Sequence, residues 1–215
     1  SEDCSGLTLI PDPNFEQALI DQGIDNIPYI NGSVEASAIS NVTELDIPNK
    51  AISNLTGIED FTSLQQLDCS NNNLEALNIS NNKSLTVLNC SQNLISSLDV
   101  SQNSLLTELD CSRNTISSLD LSQNTVLTRL YCYENNLIGL DVSKNTALTN
   151  LSCGTNNLTN LDVTTNAVLF FLNCSSNSLG ELNISKNTAL QVFSCESNQL
   201  SDLDVSQNTA LERLF

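Results

Sequence analysis

The chain has 215 residues, 25 acidic against 7 basic, for a formal charge of −18, and it contains no His, Met or Trp. Without imidazole there is no Ser-His-Asp or Cys-His couple and no His-ligated catalytic zinc, so catalysis is the minority expectation and no cofactor is expected. The few Lys and Arg cannot neutralise the phosphates that nucleic-acid binding needs, and the acidic excess repels a duplex or an anionic membrane surface.

At the N-terminus, Ser1-Glu2-Asp3 lacks the basic and apolar regions of a signal peptide, and no run of eighteen apolar residues exists. No membrane span is expected, and an exported form would already have lost its signal. Cys4 lies outside the periodic region; it reads as a free thiol, a partner for another thiol, or a lipid attachment point, the last opposed by the three residues ahead of it. Pro11, Asp12 and Pro13, followed by an apolar face at Phe15, Ala18 and Leu19 and by Gly23 as a stop, predict a helix. Residues 1–44 form a cap, because the first coil of a stacked array would otherwise expose its apolar face and a strand edge.

From residue 45 the chain is periodic. Cys69, Cys90, Cys111, Cys132, Cys153, Cys174 and Cys195 are all 21 residues apart. Three positions after each comes an Asn (Asn72, Asn93, Asn114, Asn135, Asn156, Asn177, Asn198), then an aliphatic residue at five and Leu at eight. The second half of the unit carries an aliphatic residue at ten, Asn at thirteen (Asn82 through Asn208) and Leu at sixteen, giving LxCxxNxLxxLDVSxNxxLxx. The LxL stretch alternates as a short strand does, and a coil of this size buries its apolar face only against stacked neighbours. At about 4.8 Å per strand, seven units make a rod of roughly 30 Å. An inward Asn amide can satisfy backbone groups that each bend leaves unpaired, so the two Asn columns mark two bends per coil.

This pattern resembles the leucine-rich repeat family, specifically its bacterial 21-residue class, in which an LxxLDVSxN half is nested in the usual LxxLxCxxN motif. The 22-residue unit before it, LDIPNKAISNLTGIEDFTSLQQ, resembles an internalin-type repeat, with Lys50 in place of the ladder Asn. The helical segment is similar to the N-terminal cap of secreted bacterial members. The resemblance implies a mostly β fold: a right-handed leucine-rich repeat solenoid of about eight coils over residues 45–215, with a small helical cap. Leu214-Phe215 stops two residues into a further unit, so a truncated or continuing solenoid is expected.

The Cys column sits where other leucine-rich repeats carry Leu or Val. Zinc needs four converging ligands, commonly from CxxC pairs, so these thiols are expected to be buried small apolar groups. The column Asp99, Asp120, Asp141, Asp162 and Asp204 is completed by Asn78 and Asn183. Caps of turns through backbone N–H groups explain why Asn substitutes freely; calcium held between coils by Asp99, Asp120, Asp141 and Asp162 is the alternative, without the Gly-rich motif of calcium-binding β-rolls.

Positions identical in every unit hold the coil together, whereas outward positions that vary are free for recognition. Around the first strand they change: Glu108, Arg129, Asn150, Phe171 and Val192 three before Cys, and Asp110, Tyr131, Ser152 and Asn173 one before. Glu108, Arg113, Arg129, Tyr131, Tyr133, Glu134, Phe170 and Phe171 gather most of the solenoid's aromatics and two of its three Arg, the residue types that anchor interfaces. Against this stands a packing account, in which Phe170 and Phe171 fill a local defect and the Tyr pair stacks. The expectation is a non-enzymatic extracellular or cell-surface module whose partner is a protein, and the resemblance implies adhesion or host-factor binding. The alternative is a glycan-binding or calcium-dependent adhesive module of a secreted protein, with Tyr offering a platform for sugars.

Overall fold

The structure is a computed structural model that describes residues 6–215; Cys4 lies outside them. The cap contains more than the predicted helix. Leu7–Leu9 (β1) pairs antiparallel with Ser33–Glu35 (β2), and a short helix, Ala36–Ile39 (α2), follows directly. Between the strands lies the predicted helix, Pro13–Asp21 (α1), with Asp12 as its N-cap and Phe15, Ala18 and Leu19 buried. Gly23 follows it with φ 69°, a left-handed conformation suited to glycine.

Two carboxylates fasten this cap. Asp12 Oδ1 accepts the N–H groups of Asn14 and Phe15, while Oδ2 accepts the Ser53 N–H, the Ser53 hydroxyl and the Asn54 N–H from the first coil. Burial pushes its pKa up, but the bonds from Ser53, Phe15 and Asn54 outweigh that and hold it below the usual value. Its stabilising contribution is therefore present above the ordinary carboxylate range and is lost as pH falls through the lowered folded value. Glu16 is fully buried and accepts the N–H groups of Asn31 and Gly32, so the loop back to β2 closes on it.

The solenoid is a nine-stranded, wholly parallel sheet in chain order: Glu44–Asp46 (β3), Gln66–Asp68 (β4), Val87–Asn89 (β5), Glu108–Asp110 (β6), Arg129–Tyr131 (β7), Asn150–Ser152 (β8), Phe171–Asn173 (β9), Val192–Ser194 (β10) and Arg213–Leu214 (β11). Leu45 pairs with Leu67 across the 22-residue first unit, and thereafter every register step is 21 residues, Leu67 with Leu88, Leu88 with Leu109 and onward. The central residue of each strand from Leu45 to Phe193 points inward and is at most 1% exposed. The other side of each coil is turns and extended chain; only the first coil differs, with a 3-10 turn at Ile58–Asp60. Gly57 precedes that turn at φ 103°, and a Cβ there would lie 2.5 Å from the Leu9 carbonyl oxygen, so the cap packs directly on its backbone.

Both Asn columns bond along the rod, in different ways. In the first, typified by Asn135, Nδ2 donates to the Cys111 and Cys132 carbonyls at 3.0 and 3.2 Å, and Oδ1 accepts the Ile116 N–H at 3.0 Å. In the second, typified by Asn145, Nδ2 donates to the Leu121 and Asn124 carbonyls at 3.1 and 2.9 Å. The Oδ1 atoms of Asn82, Asn103, Asn124, Asn145, Asn166, Asn187 and Asn208 are buried and accept nothing from the described residues. Lys50, in the first-column position of coil one, is exposed and pairs with Asp21 of α1 at 3.4 Å.

The two columns should therefore differ in mutational cost. Asn135→Ala strands the buried Ile116 N–H, whereas Asn145→Ala removes an unbonded oxygen and leaves carbonyls that still accept the Asn124 and Leu127 N–H groups. We expect urea denaturation to register a loss of about 3 kcal/mol for Asn135→Ala and about 1 kcal/mol for Asn145→Ala; equal losses would contradict this difference.

Candidate binding face

Each strand of the solenoid turns two side chains outward, three and one before the Cys position, and the second residue of the bend after Cys is exposed in most coils, whereas Ser70, Ser91, Ser112 and Ser152 beside Cys are buried. On most coils the pair flanking Cys is an Asx cap: Ser112 N–H and hydroxyl donate to Asp110 Oδ1, and Ser70, Ser91 and Ser175 N–H groups donate to Asp68, Asn89 and Asn173. The next residue has positive φ in every coil, 54° at Arg113, 52° at Glu134 and 53° at Thr155. Arg113 and Glu134 thus sit on the bend rather than on the strands.

The structure divides the predicted cluster. Arg129, three before Cys132 on β7, donates to Glu108 of β6 at 2.8 Å. Tyr131 lies half-buried on the same strand, and burial, then the Glu108 charge, push its phenol pKa up. On the bend, Arg113 reaches Glu134 at 3.3 Å and stands 5.8 Å from the centre of the Tyr133 ring. These ion pairs are largely solvated and add little to stability. Phe171 is half-buried on β9, two strands away, while Phe170 is 42% exposed at the edge before β9. Tyr131 and Tyr133 do not stack: among the described residues the aromatic pair is Phe15–Phe61, at 6.3 Å in the core.

Two features of the surface are absent from the sequence-based list. Leu105, Val126 and Val168 stand 52, 44 and 49% exposed in one column, fifteen residues after a Cys, at the edge where Phe170 also emerges. A reading by columns could have found them, since the same position carries Ala147, Ala189 and Ala210. The second feature is at the other end of the sheet, where Glu44, Asp46, Gln66, Asp68, Val87, Asn89 and Glu108 line an open groove of about 320 Å³. Asp46 precedes the first Cys of the column and so carries no mark of the 21-residue period, but the strand register places it beside Asp68.

The Asp column on the far side consists of turn caps. Asp99, Asp120, Asp141, Asp162 and Asp204 each accept the N–H two residues on at 2.8–2.9 Å, and Asn78 and Asn183 accept it equally at 3.2 and 3.0 Å. Bonds from the following Ser or Thr lower the pKa of all five carboxyls. Among the described residues no three His, Cys, Asp or Glu side chains gather around a common point that could hold a metal ion.

Cys69 through Cys174 are free and fully buried; Cys195 is free and half-buried. Burial pushes the Cys111 and Cys153 thiols up to about 12 and the others of the column upward as well, which removes the reactive thiolate at neutral pH.

The fold so described is a leucine-rich repeat solenoid with a helical cap and a cysteine column. No protein-family model and no curated protein matches the sequence. Among solved structures, internalin C2 of Listeria monocytogenes strain 4b F2365 aligns with a TM-score of 0.89 at 20% identity, over 100% of this chain and 99% of that one. InlF of the same strain aligns with a TM-score of 0.84 at 24% identity, over 96% of this chain and 62% of that one. The functional domain of InlJ from Listeria monocytogenes, described as including a cysteine ladder, aligns at 28% identity with a TM-score of 0.48, over 97% of this chain and 61% of that one. The chain thus spans about three fifths of the InlF and InlJ structures. The likeness to internalin C2 and InlF is one of fold.

Alkylation should map the thiol column. With iodoacetamide at about pH 8, Cys69 to Cys174 should remain unmodified in the native protein and Cys195 should react first, all seven being modified in denaturant. Rapid native labelling of several buried thiols, read by mass spectrometry, would show that the coils open.

Proposed function

We propose that the chain is a non-enzymatic recognition module, displayed on or released from a bacterial cell, that binds a protein, a host or matrix component, through the outward face of β3–β11. The observation that carries this reading is the coil Arg129-Leu130-Tyr131-Cys132-Tyr133. The coils of Cys69, Cys90, Cys111 and Cys174 place Asp or Asn and Ser on either side of Cys and gain a side-chain bond that caps the strand, while those of Cys153 and Cys195 carry Ser with Gly or Glu. This coil gives that bond up for two aromatic rings, with Arg129 and Arg113 close by. Coil geometry does not call for Tyr there, whereas interfaces use Tyr and Arg as anchors. The fold likeness to internalin C2 and InlF supports a role outside the cell, and burial of the thiol column makes free cysteines compatible with oxidising surroundings. No helix among the described residues is long and apolar enough to cross a membrane.

The test exploits the repeat itself. Arg129→Asn, Tyr131→Asn and Tyr133→Ser rewrite this coil with side chains that other coils already carry at these positions, so the fold should survive. Capture of protein partners from serum or matrix extract should fall at least about tenfold with the thermal midpoint within a few degrees of the parent. Unchanged capture would remove these residues from the binding face. The same pair of proteins on a glycan array, with and without chelator, checks the sugar and calcium alternative: the proposed module is blank on sugars and indifferent to chelation.

A further inference from the structure

The 25 acidic residues are not spread evenly around the coil. The edge that leads from the far-side turn to the next strand is residues 79–86 in the first 21-residue unit and 100–107, 121–128, 142–149, 163–170 and 184–191 in the five that follow, and it holds no Asp or Glu. It does hold Lys83, Lys144 and Lys186, three of the chain's four Lys, all exposed and none in an ion pair among the described residues. Lys83 and Lys186 stand in the two 21-residue units whose far-side cap is an amide, Asn78 and Asn183; Lys144 alone has a cap carboxylate, Asp141, near it. In a chain of −18 this edge is a neutral to cationic strip.

The repeat does not impose this composition. The ladder Asn recurs in every unit, but the residues twelve and fifteen after Cys vary, and the first of these is exposed in every coil. At fifteen, Ser84, Ala147 and Ala189 show that the coil needs no large side chain, yet Leu105, Val126 and Val168 stand about half exposed there. Seventeen after Cys, the hydroxyls of Thr86, Thr107, Thr128 and Thr149 donate to a carbonyl one coil earlier at 2.9–3.1 Å, a bond that Phe170 replaces with an exposed ring. Apolar surface left in water and a bond given up both raise the free energy of the isolated protein, and both fall on the strip that lacks carboxylates. Through Phe170 and Phe171 the strip is continuous with the sheet face.

We infer that this edge docks an amphipathic helix of the protein partner, its apolar stripe on Leu105, Val126, Val168 and Phe170 and its acidic flank beside Lys83, Lys144 and Lys186. The contact rests on the reading of the chain as a protein-binding module and lies beside the Tyr coil. Pitch selects a helix: coils lie about 4.8 Å apart, and a helix laid along the rod presents a side chain every turn of about 5.4 Å, slipping by only about 0.6 Å per coil. An extended segment presents same-face side chains about 6.7 Å apart and leaves the column after one coil. Charge selects the flank. Screening at physiological salt limits each charge to roughly 8 Å, so the helix meets the local Lys rather than the net charge of the whole chain. A second copy of this chain does not supply the helix, because α1, the longest among the described residues, already buries its apolar face in the cap.

The probe is an end-blocked synthetic peptide of about sixteen residues built on Ala and Gln, with Leu along one helical stripe and Glu along one flank; a second version carries Lys in place of Glu. Both are titrated calorimetrically, in about 0.15 M salt, into the parent and into two variants whose substitutions are side chains that other coils carry at these positions. The apolar variant is Leu105→Ala, Val126→Ala, Val168→Ala and Phe170→Thr; the charge variant is Lys83→Thr, Lys144→Gln and Lys186→Gln. The parent should bind the Glu peptide at least about fivefold more tightly than the Lys peptide, against the sign of its net charge. The apolar variant should weaken the Glu peptide about tenfold with its thermal midpoint within a few degrees of the parent, and the charge variant should erase the preference for Glu. A preference for the Lys peptide, no measurable binding of the Glu peptide to the parent, or undiminished binding by the apolar variant overturns the inference. The coil rewritten at Arg129, Tyr131 and Tyr133 should bind the Glu peptide as the parent does; a loss there places the peptide on the Tyr coil and also overturns it. Should the helix contact fail these tests while the rewritten coil still loses its protein partner, the recognition reading stands.

Discussion

The structure depends on satisfying the backbone at the bends of a coil that has no helix to do it. A coil of 21 residues has little interior, and each turn into or out of the strand leaves N–H and C=O groups facing the core where water does not reach. The first-column Asn meets this by acting in both directions at once. Its Nδ2 binds carbonyls of its own coil and of the one before, and its Oδ1 takes an N–H from the one before, as Asn114 does with Cys90, Cys111 and Ile95. Because every amide spans two coils, the period cannot drift. The 22-residue first unit keeps the pattern, since Asn72 donates to the Ile47 and Cys69 carbonyls and accepts the Ile52 N–H, and its extra residue is taken up elsewhere in the coil.

From that constraint the rest of the interior follows. The strand must be in register at every step, so whatever lies at the Cys position stacks on itself along the rod, and the position must accept identical neighbours a strand spacing apart. Cys is small and apolar enough for this, and burial removes its thiolate, so the same burial that supplies packing also suppresses the chemistry. Cys195 marks the limit of the effect. In the last coil the column is half-exposed, and Leu200, Leu203, Val205 and Leu211 are only partly buried beside it. The other end is closed by Asp12 and Glu16, whose carboxylates bind the first coil and the cap loop through backbone N–H groups rather than through other charges.

Much of the fold was legible because the period writes each physical requirement seven times. Strand, bends, ladders and the inward Cys column all follow from residues that recur, and α1 follows from Asp12, Pro13 and Gly23. The pairing of β1 with β2 was not legible, since Leu7–Leu9 and Ser33–Glu35 meet across a helix and carry no repeat to reveal their register. The site was legible in composition and less so in geometry. Arg113 and Glu134 belong to a left-handed bend, which the sequence hides because Asn71, Gln92, Arg113, Glu134, Thr155, Ser176 and Ser197 share a backbone conformation but no side-chain type. Phe170 and Phe171 are neighbours in the chain, yet Phe170 is exposed just before β9 and Phe171 is half-buried on the strand itself.

The two acidic columns show why residue identity alone is a poor guide to role in a repeat protein. Asp110 and Asp120 are ten residues apart, each followed two positions later by a Ser that binds it, and the local motif is the same. On the far side the carboxylate is exposed, and the turn favours its charge. On the strand face it is crowded by the register, which brings Asp68 and Glu108 into its field, and half-buried by its neighbours. The sheet thus converts a turn-forming residue into a source of repulsion that folding tolerates and an amide would remove. In an array where nearly every recurrent side chain lowers the energy of the coil, Tyr131 and Tyr133 stand out on the same face, because they abandon the cap that Asp110 and Ser112 form one coil earlier.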